Sequence, residues 1–256
     1  MTEILKQREE KIREFFNLQT GAVRLLRDGV VLPEITPEID VHLKRFNIEW
    51  HIIPAEDAMP LDEEVYRNSF YATRKGETRP HVYQKTSSYR AIINGHRRHQ
   101  GRIIGVETTM KPRYLPGNRQ FYGTHYGFEA AADPFARYFG AARMVGETRY
   151  GHNYASLRAF VNLVNDDWKT RGLMPPGYRL TICPPVVFNF VGTIFHKEWS
   201  QSESLELGFY RDDHGNAKCY AVGSNAPDDF SYLYEIATDS DWTLLGFRIA
   251  LVPDES

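Results

Sequence analysis

The chain has 256 residues, 42% of them hydrophobic and 25% charged, and a formal net charge of -2. That balance excludes collagen, coiled coil and a disordered polyampholyte, and no apolar run approaches the roughly 20 residues that span a bilayer. Two cysteines, Cys183 and Cys219, are too few for a disulfide scaffold or a metal cluster of their own, so one cytoplasmic domain covering residues 1–256 is expected.

The first ten residues alternate charged with apolar side chains and lack a signal-peptide core. Ile4, Leu5, Ile12, Phe15 and Phe16 recur at helical spacing, which predicts a helix from Thr2 to about Leu18 with Gly21 as its stop. Extended pieces follow at Ala22–Leu32 and Ile48–Ile53, separated by Pro33, Pro37 and a polar turn, and the stretch from Pro54 to Pro60 is a loop. From Val82 to Thr109 the pattern is strand, loop, strand, with Gly95 and Gly101 bracketing the loop and Arg102–Thr109 resuming the β-branched run.

Asp133 is an N-cap candidate with Pro134 after it, and Phe135, Tyr138, Phe139 and Ala142 form an apolar stripe. Ser156 caps a second helix carrying Leu157, Phe160, Val161, Val164 and Trp168, which Gly172 ends. Strands are then predicted at Arg179–Cys183, Val186–Trp199, Leu205–Tyr210, Cys219–Val222, Tyr232–Ile236 and Trp242–Val252. Helices early and strands late, without βαβ alternation, give an α+β class: a large antiparallel β-sheet with a few packed helices in a single domain.

Charge is distributed unevenly. Residues 79–128 hold nine Lys or Arg against the single acid Glu107, together with His81, His96, His99 and His125. No phosphate loop, Rossmann fingerprint, nucleophile elbow or zinc-protease helix is present. Glu107 shares a strand face with Gly105, and a strand glycine marks the close approach of a ligand or of another backbone. If the two strands pair about the loop, Glu107 lies opposite Ser88, and Arg90 faces Gly105. Glu107 then reads as a general base or an anchor for a substrate ammonium, or else as a salt-bridge partner of Arg90 or Arg102.

His96 and His99 lie three apart in the loop, as proton carrier or as solvated side chains. Their spacing demands no third ligand from His125 or Glu107, so no metal and no cofactor are expected. The arginines with interleaved aromatics also suit a single-strand or RNA-binding module, but the acidic overall charge opposes that. A small carboxylated substrate needs only an arginine and an aromatic wall, and the stretch Phe121–Phe128, with Tyr122, is a candidate wall.

The run Ile103-Ile104-Gly105-Val106-Glu107-Thr108-Thr109, downstream of a histidine and arginines, resembles the microbial β-carboline-forming Pictet–Spengler enzymes over about a fifth of the chain. The resemblance implies a cofactor-free homodimer that condenses an aromatic amino acid such as tryptophan with an aldehyde. Glu107 would be the general base, with His96, or a residue across the hairpin near Tyr89, as its histidine partner. Arg74, Arg79 or Arg90 would hold the carboxylate, and Tyr122 would stand in the aromatic wall. The alternatives are another cofactor-free lyase or isomerase using the same carboxylate, and the nucleic-acid module at residues 79–128.

Overall fold

The computed structural model describes residues 2–16, 18, 23–58, 97–108, 133–142, 149–196, 199, 205–211, 216–223, 232–239 and 245–254. The α+β class holds: five helices and eight strands are formed among these residues. The strands build two four-stranded sheets where one large sheet was expected.

Helix α1 (Thr2–Phe15) turns Leu5 and Ile12 inward, while Ile4 and Phe15, expected on the same stripe, stay exposed. Residues 23–32 form turns without a strand. Helix α2 (Pro37–Arg45) went unpredicted because Pro37 reads as a breaker. In fact it is the first helical residue, and the Thr36 hydroxyl accepts from the Ile39 N–H at 3.3 Å. Strand β1 (Ile48–Ile53) follows as predicted, then β2 (Arg102–Glu107).

Helix α3 (Ala136–Ala141) starts later than Asp133 suggested, and helix α4 (Tyr154–Thr170) is capped by Asn153, whose side chain accepts from Ser156 N–H, instead of by Ser156. Strand β3 (Tyr178–Ile182) leads into α5 (Pro185–Ile194), where a strand was expected. A continuous apolar run carries no period to separate a buried helix from a buried strand, and Pro185 at the first turn favours the helix. Strands β4 (Leu205–Arg211), β5 (Ala217–Gly223) and β6 (Tyr232–Ile236) match their predictions closely. The last predicted strand breaks at Arg248 into β7 (Gly246–Phe247) and β8 (Ile249–Pro253), which belong to different sheets.

The first sheet has the order β1-β2-β8-β3 and is antiparallel throughout; the second is β6-β5-β4-β7, with β4 and β7 parallel. Strand β2 is interior, with Glu107 opposite Ile48, and Gly105 between Trp50 and Leu251. This corrects the expected hairpin with Ser88 and Arg90, since both sides of Gly105 are taken by β1 and β8. The close approach marked by Gly105 is protein packing: a Cβ there would lie 3.0 Å from both Ile48 Cγ2 and Leu251 Cβ.

A continuous apolar core joins the helices to both sheets. Its aromatic centre sets Phe46, Phe135 and His42 around the fully buried Trp168. The outer edge of β3 is met by Asn165 of α4, whose amide donates to Leu180 O at 3.0 Å and whose carbonyl accepts from Leu180 N–H at 2.8 Å. That fork imitates a neighbouring strand and fixes α4 beside β3. No helix among the described residues is long and apolar enough to cross a membrane.

Candidate functional site

Of the residues singled out from the sequence, Glu107 is described; His96, Arg79, Arg90 and Tyr122 lie outside the described residues, as does most of the basic block. Glu107 ends β2 fully buried, at 0% exposure. Its oxygens accept from Arg149 Nη1 at 2.8 Å and Nη2 at 2.6 Å, and Oε2 also accepts from the Ile249 N–H at 3.1 Å. An ion pair was foreseen for Glu107, and its partner among the described residues is Arg149, not Arg102; Arg90 lies outside the described residues.

Arg149 has all five guanidinium donors engaged. Beyond Glu107 it donates to both oxygens of Asp133 and to Phe247 O at 3.1 Å, and it sits between the rings of Phe135 and Phe247. Burial opposes its charge, yet Asp133 and Glu107 outweigh burial and hold its pKa well above the ordinary value. Asp133, read from sequence as a helix cap, therefore serves this cluster as well as accepting from Phe135 N–H.

A second guanidinium lies alongside. Arg248 holds buried Glu206 with two bonds of 3.1 and 2.9 Å, donates to Glu107 O at 2.7 Å, and stacks over Trp199. Because Arg248 is the residue between β7 and β8, this pair fastens the two sheets together. Both carboxylate oxygens of Glu107 are thus committed to protein donors, Arg149 and the Ile249 N–H. Its setting is that of a buried ion cluster, and Glu107 is not among the residues lining the cavity between α4 and β3.

Described residues surround an open space between α4, β3 and the helical turn at residues 97–100. Their cavity has a volume of about 440 Å³ and is lined by Arg98, His99, Tyr154, Arg158, Lys169 and Arg179, with Asn165 and Asp166 among the other polar groups. The volume falls within the roughly 300–1,000 Å³ of small-molecule sites. Arg98, Arg158 and Lys169 form no ion pair among the described residues, and Arg179 is only 3.8 Å from Asp254, both well exposed. His99, three residues from the expected His96, is pushed down to about 3 by burial and by the guanidinium groups of Arg102, Arg179, Arg98 and Arg27. It is therefore an uncharged wall group at neutral pH. Tyr154 packs edge-on against Phe209, and both line the cavity. Sequence reasoning missed this site because it read α4 only from its apolar stripe and nothing in the spacing shows what Arg158 and Lys169 face.

One further polar group lies inside the molecule. Glu49 and His51 alternate on β1, so they share a face, and His196, just past α5, meets them there. These three are the described side chains whose donor atoms are close enough to share a metal ion. Cys183 and Cys219 are buried free thiols; burial pushes Cys219 up to about 12 and Cys183 higher still, so neither is a nucleophile at neutral pH. No protein-family model, curated protein or solved structure matches this chain.

Proposed function

We propose that the protein is an enzyme for a small carboxylated aromatic substrate, such as an aromatic amino acid, taken up in the cavity between α4 and β3. The observation that carries this reading is the set of cations around that 440 Å³ space, three of which have no acidic partner among the described residues. Unpaired arginines facing a concavity are a carboxylate site in waiting, because the guanidinium fork matches a carboxylate with two parallel bonds. Tyr154 and Phe209 supply a wall for an aromatic ring, and the amide of Asn162 and the hydroxyl of Thr181 add neutral hydrogen-bonding groups to the same lining.

Condensation of tryptophan with an aldehyde is the chemistry to try first on such a substrate. The amine and aldehyde lose water to give an iminium, the indole carbon attacks it, and a base takes the ring proton. Glu107 was expected to be that base; its bidentate pairing with Arg149 and its place outside the cavity lining speak against that role. The protein's contribution would be to hold the amino acid by its carboxylate and ring, turning a bimolecular encounter into a positioned one. Incubation with tryptophan and a panel of aldehydes, read by the fluorescence of a tricyclic product, tests the reading. Product is expected with the native protein and a tenfold or greater loss with Arg158→Ala, about the 1.4 kcal/mol or more of one charge-assisted hydrogen bond. If no aldehyde gives product and neither tryptophan nor tyrosine binds, the reading is wrong.

A further inference from the structure

The polar group on β1 poses a separate problem. His51 has 0% exposure, and neither ring nitrogen has a hydrogen-bond partner. Leaving a buried polar atom unpaired costs roughly 1–3 kcal/mol, and a histidine offers two. Its environment is nonetheless polar. Nε2 of His51 lies 3.9 Å from Oε2 of Glu49, and Nε2 of His196 lies 3.5 Å from the same oxygen. Donor atoms from all three side chains fall within 4.8 Å of one another.

From this arrangement we infer that Glu49, His51 and His196 form a binding site for one divalent transition-metal ion. Bonds of about 2.1 Å diverging tetrahedrally place their donor atoms roughly 3.4 Å apart. The three side chains therefore close by no more than about 1.4 Å to share an ion. Two imidazoles and a carboxylate suit zinc, iron(II), cobalt or manganese, and do not suit calcium or magnesium, which want a shell of oxygens. The carboxylate side of the group is open, with the Glu49 side chain 40% exposed, while both imidazoles lie deeper. Three protein ligands on one side with solvent on the other is how a reactive metal site differs from a closed structural one.

The surroundings hold the ligands in place. The His196 ring stacks on Trp199 at 4.7 Å and 11°, and His51 packs against Phe195 at 5.0 Å. Thr108 Oγ1 donates to Glu49 Oε1 at 3.5 Å, leaving Oε2 toward the imidazoles. That same Oε2 is held by Arg8 of α1, whose guanidinium also lies over the Phe195 ring and whose Nε is buried without a partner. Arg8 is thus a cation already seated on the oxygen an ion would take. Metal and guanidinium compete for it, and Arg8 sets how tightly the site binds.

The test is equilibrium dialysis of the untagged 256-residue chain against zinc, read by elemental analysis. One zinc per chain is expected, with affinity lost in His51→Ala and in Glu49→Gln. Arg8→Met leaves every ligand in place and is expected to bind zinc about tenfold more tightly, the effect of removing one competing ion pair. Absence of zinc uptake at micromolar concentration by the native chain overturns the inference. So does Glu49→Gln binding zinc as the native chain does, whether or not His51→Ala folds. The outcome is independent of whether the α4–β3 cavity takes a carboxylate.

Discussion

Arg149→Met removes a guanidinium that is 6% exposed and engages all five of its donors inside the protein. The methionine fills much of the same volume, so the cost falls on what remains: Glu107 and Asp133, both buried, lose their shared cation. Breaking a buried pair from one side costs about 3–5 kcal/mol because an uncompensated charge stays in a poor solvent. A chain of this size loses near 3 kcal/mol per molar urea, so the unfolding midpoint should fall by about 1–1.7 M. Glu107→Gln keeps the shape and part of the hydrogen bonding, so a smaller loss of about 1–3 kcal/mol is expected. The triple variant Arg149→Met, Glu107→Gln, Asp133→Asn should recover part of what the single arginine change loses, since no charge is then stranded. Urea titration followed by tryptophan fluorescence measures all three. A midpoint unchanged in Arg149→Met would refute the structural role of the cluster.

His42 is pushed down to about 4, first by burial and then by Arg171 and Arg137, and its Nε2 is buried without a partner. The unfolded chain protonates this histidine near 6.5 and the folded one only near 4, so its stabilising effect is complete above pH 6.5. It is lost as pH falls toward 4, at up to about 1.4 kcal/mol per pH unit. In urea titrations across that window His42→Phe should flatten the slope, and an unaltered slope would contradict the assignment. Both cysteines should resist a thiol reagent at pH 8 until the protein unfolds, because burial raises both thiols far above that pH; rapid labelling of the native protein would show the burial to be wrong. In Gly105→Ala the new methyl would press on Ile48 and Leu251 at 3.0 Å. A loss of about 1–3 kcal/mol is expected from overpacking, measured by thermal unfolding, and a neutral result would mean the β1–β2–β8 contact is looser than described.

What could be read from the sequence depended on how local its cause was. The apolar spacing of Leu157, Phe160, Val164 and Trp168 fixed α4 because one helix face determines it, and the β-branched run of β2 was equally self-contained. Helix α5 was hidden because Val186, Val187, Phe188, Phe190 and Val191 are all buried, and an all-round apolar segment has no period to read. Glu107 was correctly found in a strand beside a glycine, but its partner Arg149 stands 42 residues away, and no rule of spacing connects them. The arginine expected nearby was taken from its own hairpin, which the pairing of β2 with β1 and β8 removes. Glu49 and His51 are two apart on a strand and were open to the same period-two argument that singled out Gly105 and Glu107. Only the fold brings His196 from the end of α5 to join them.

Calorimetric titration of the native protein with tryptophan, repeated at two salt concentrations and with Arg98→Ala and Arg158→Ala, tests most directly whether the cavity beside α4 receives an anionic substrate. The cationic lining predicts one ligand per chain, weaker binding at higher salt, and about a tenfold loss of affinity in each variant. Binding that ignores both salt and the two arginines would contradict the account.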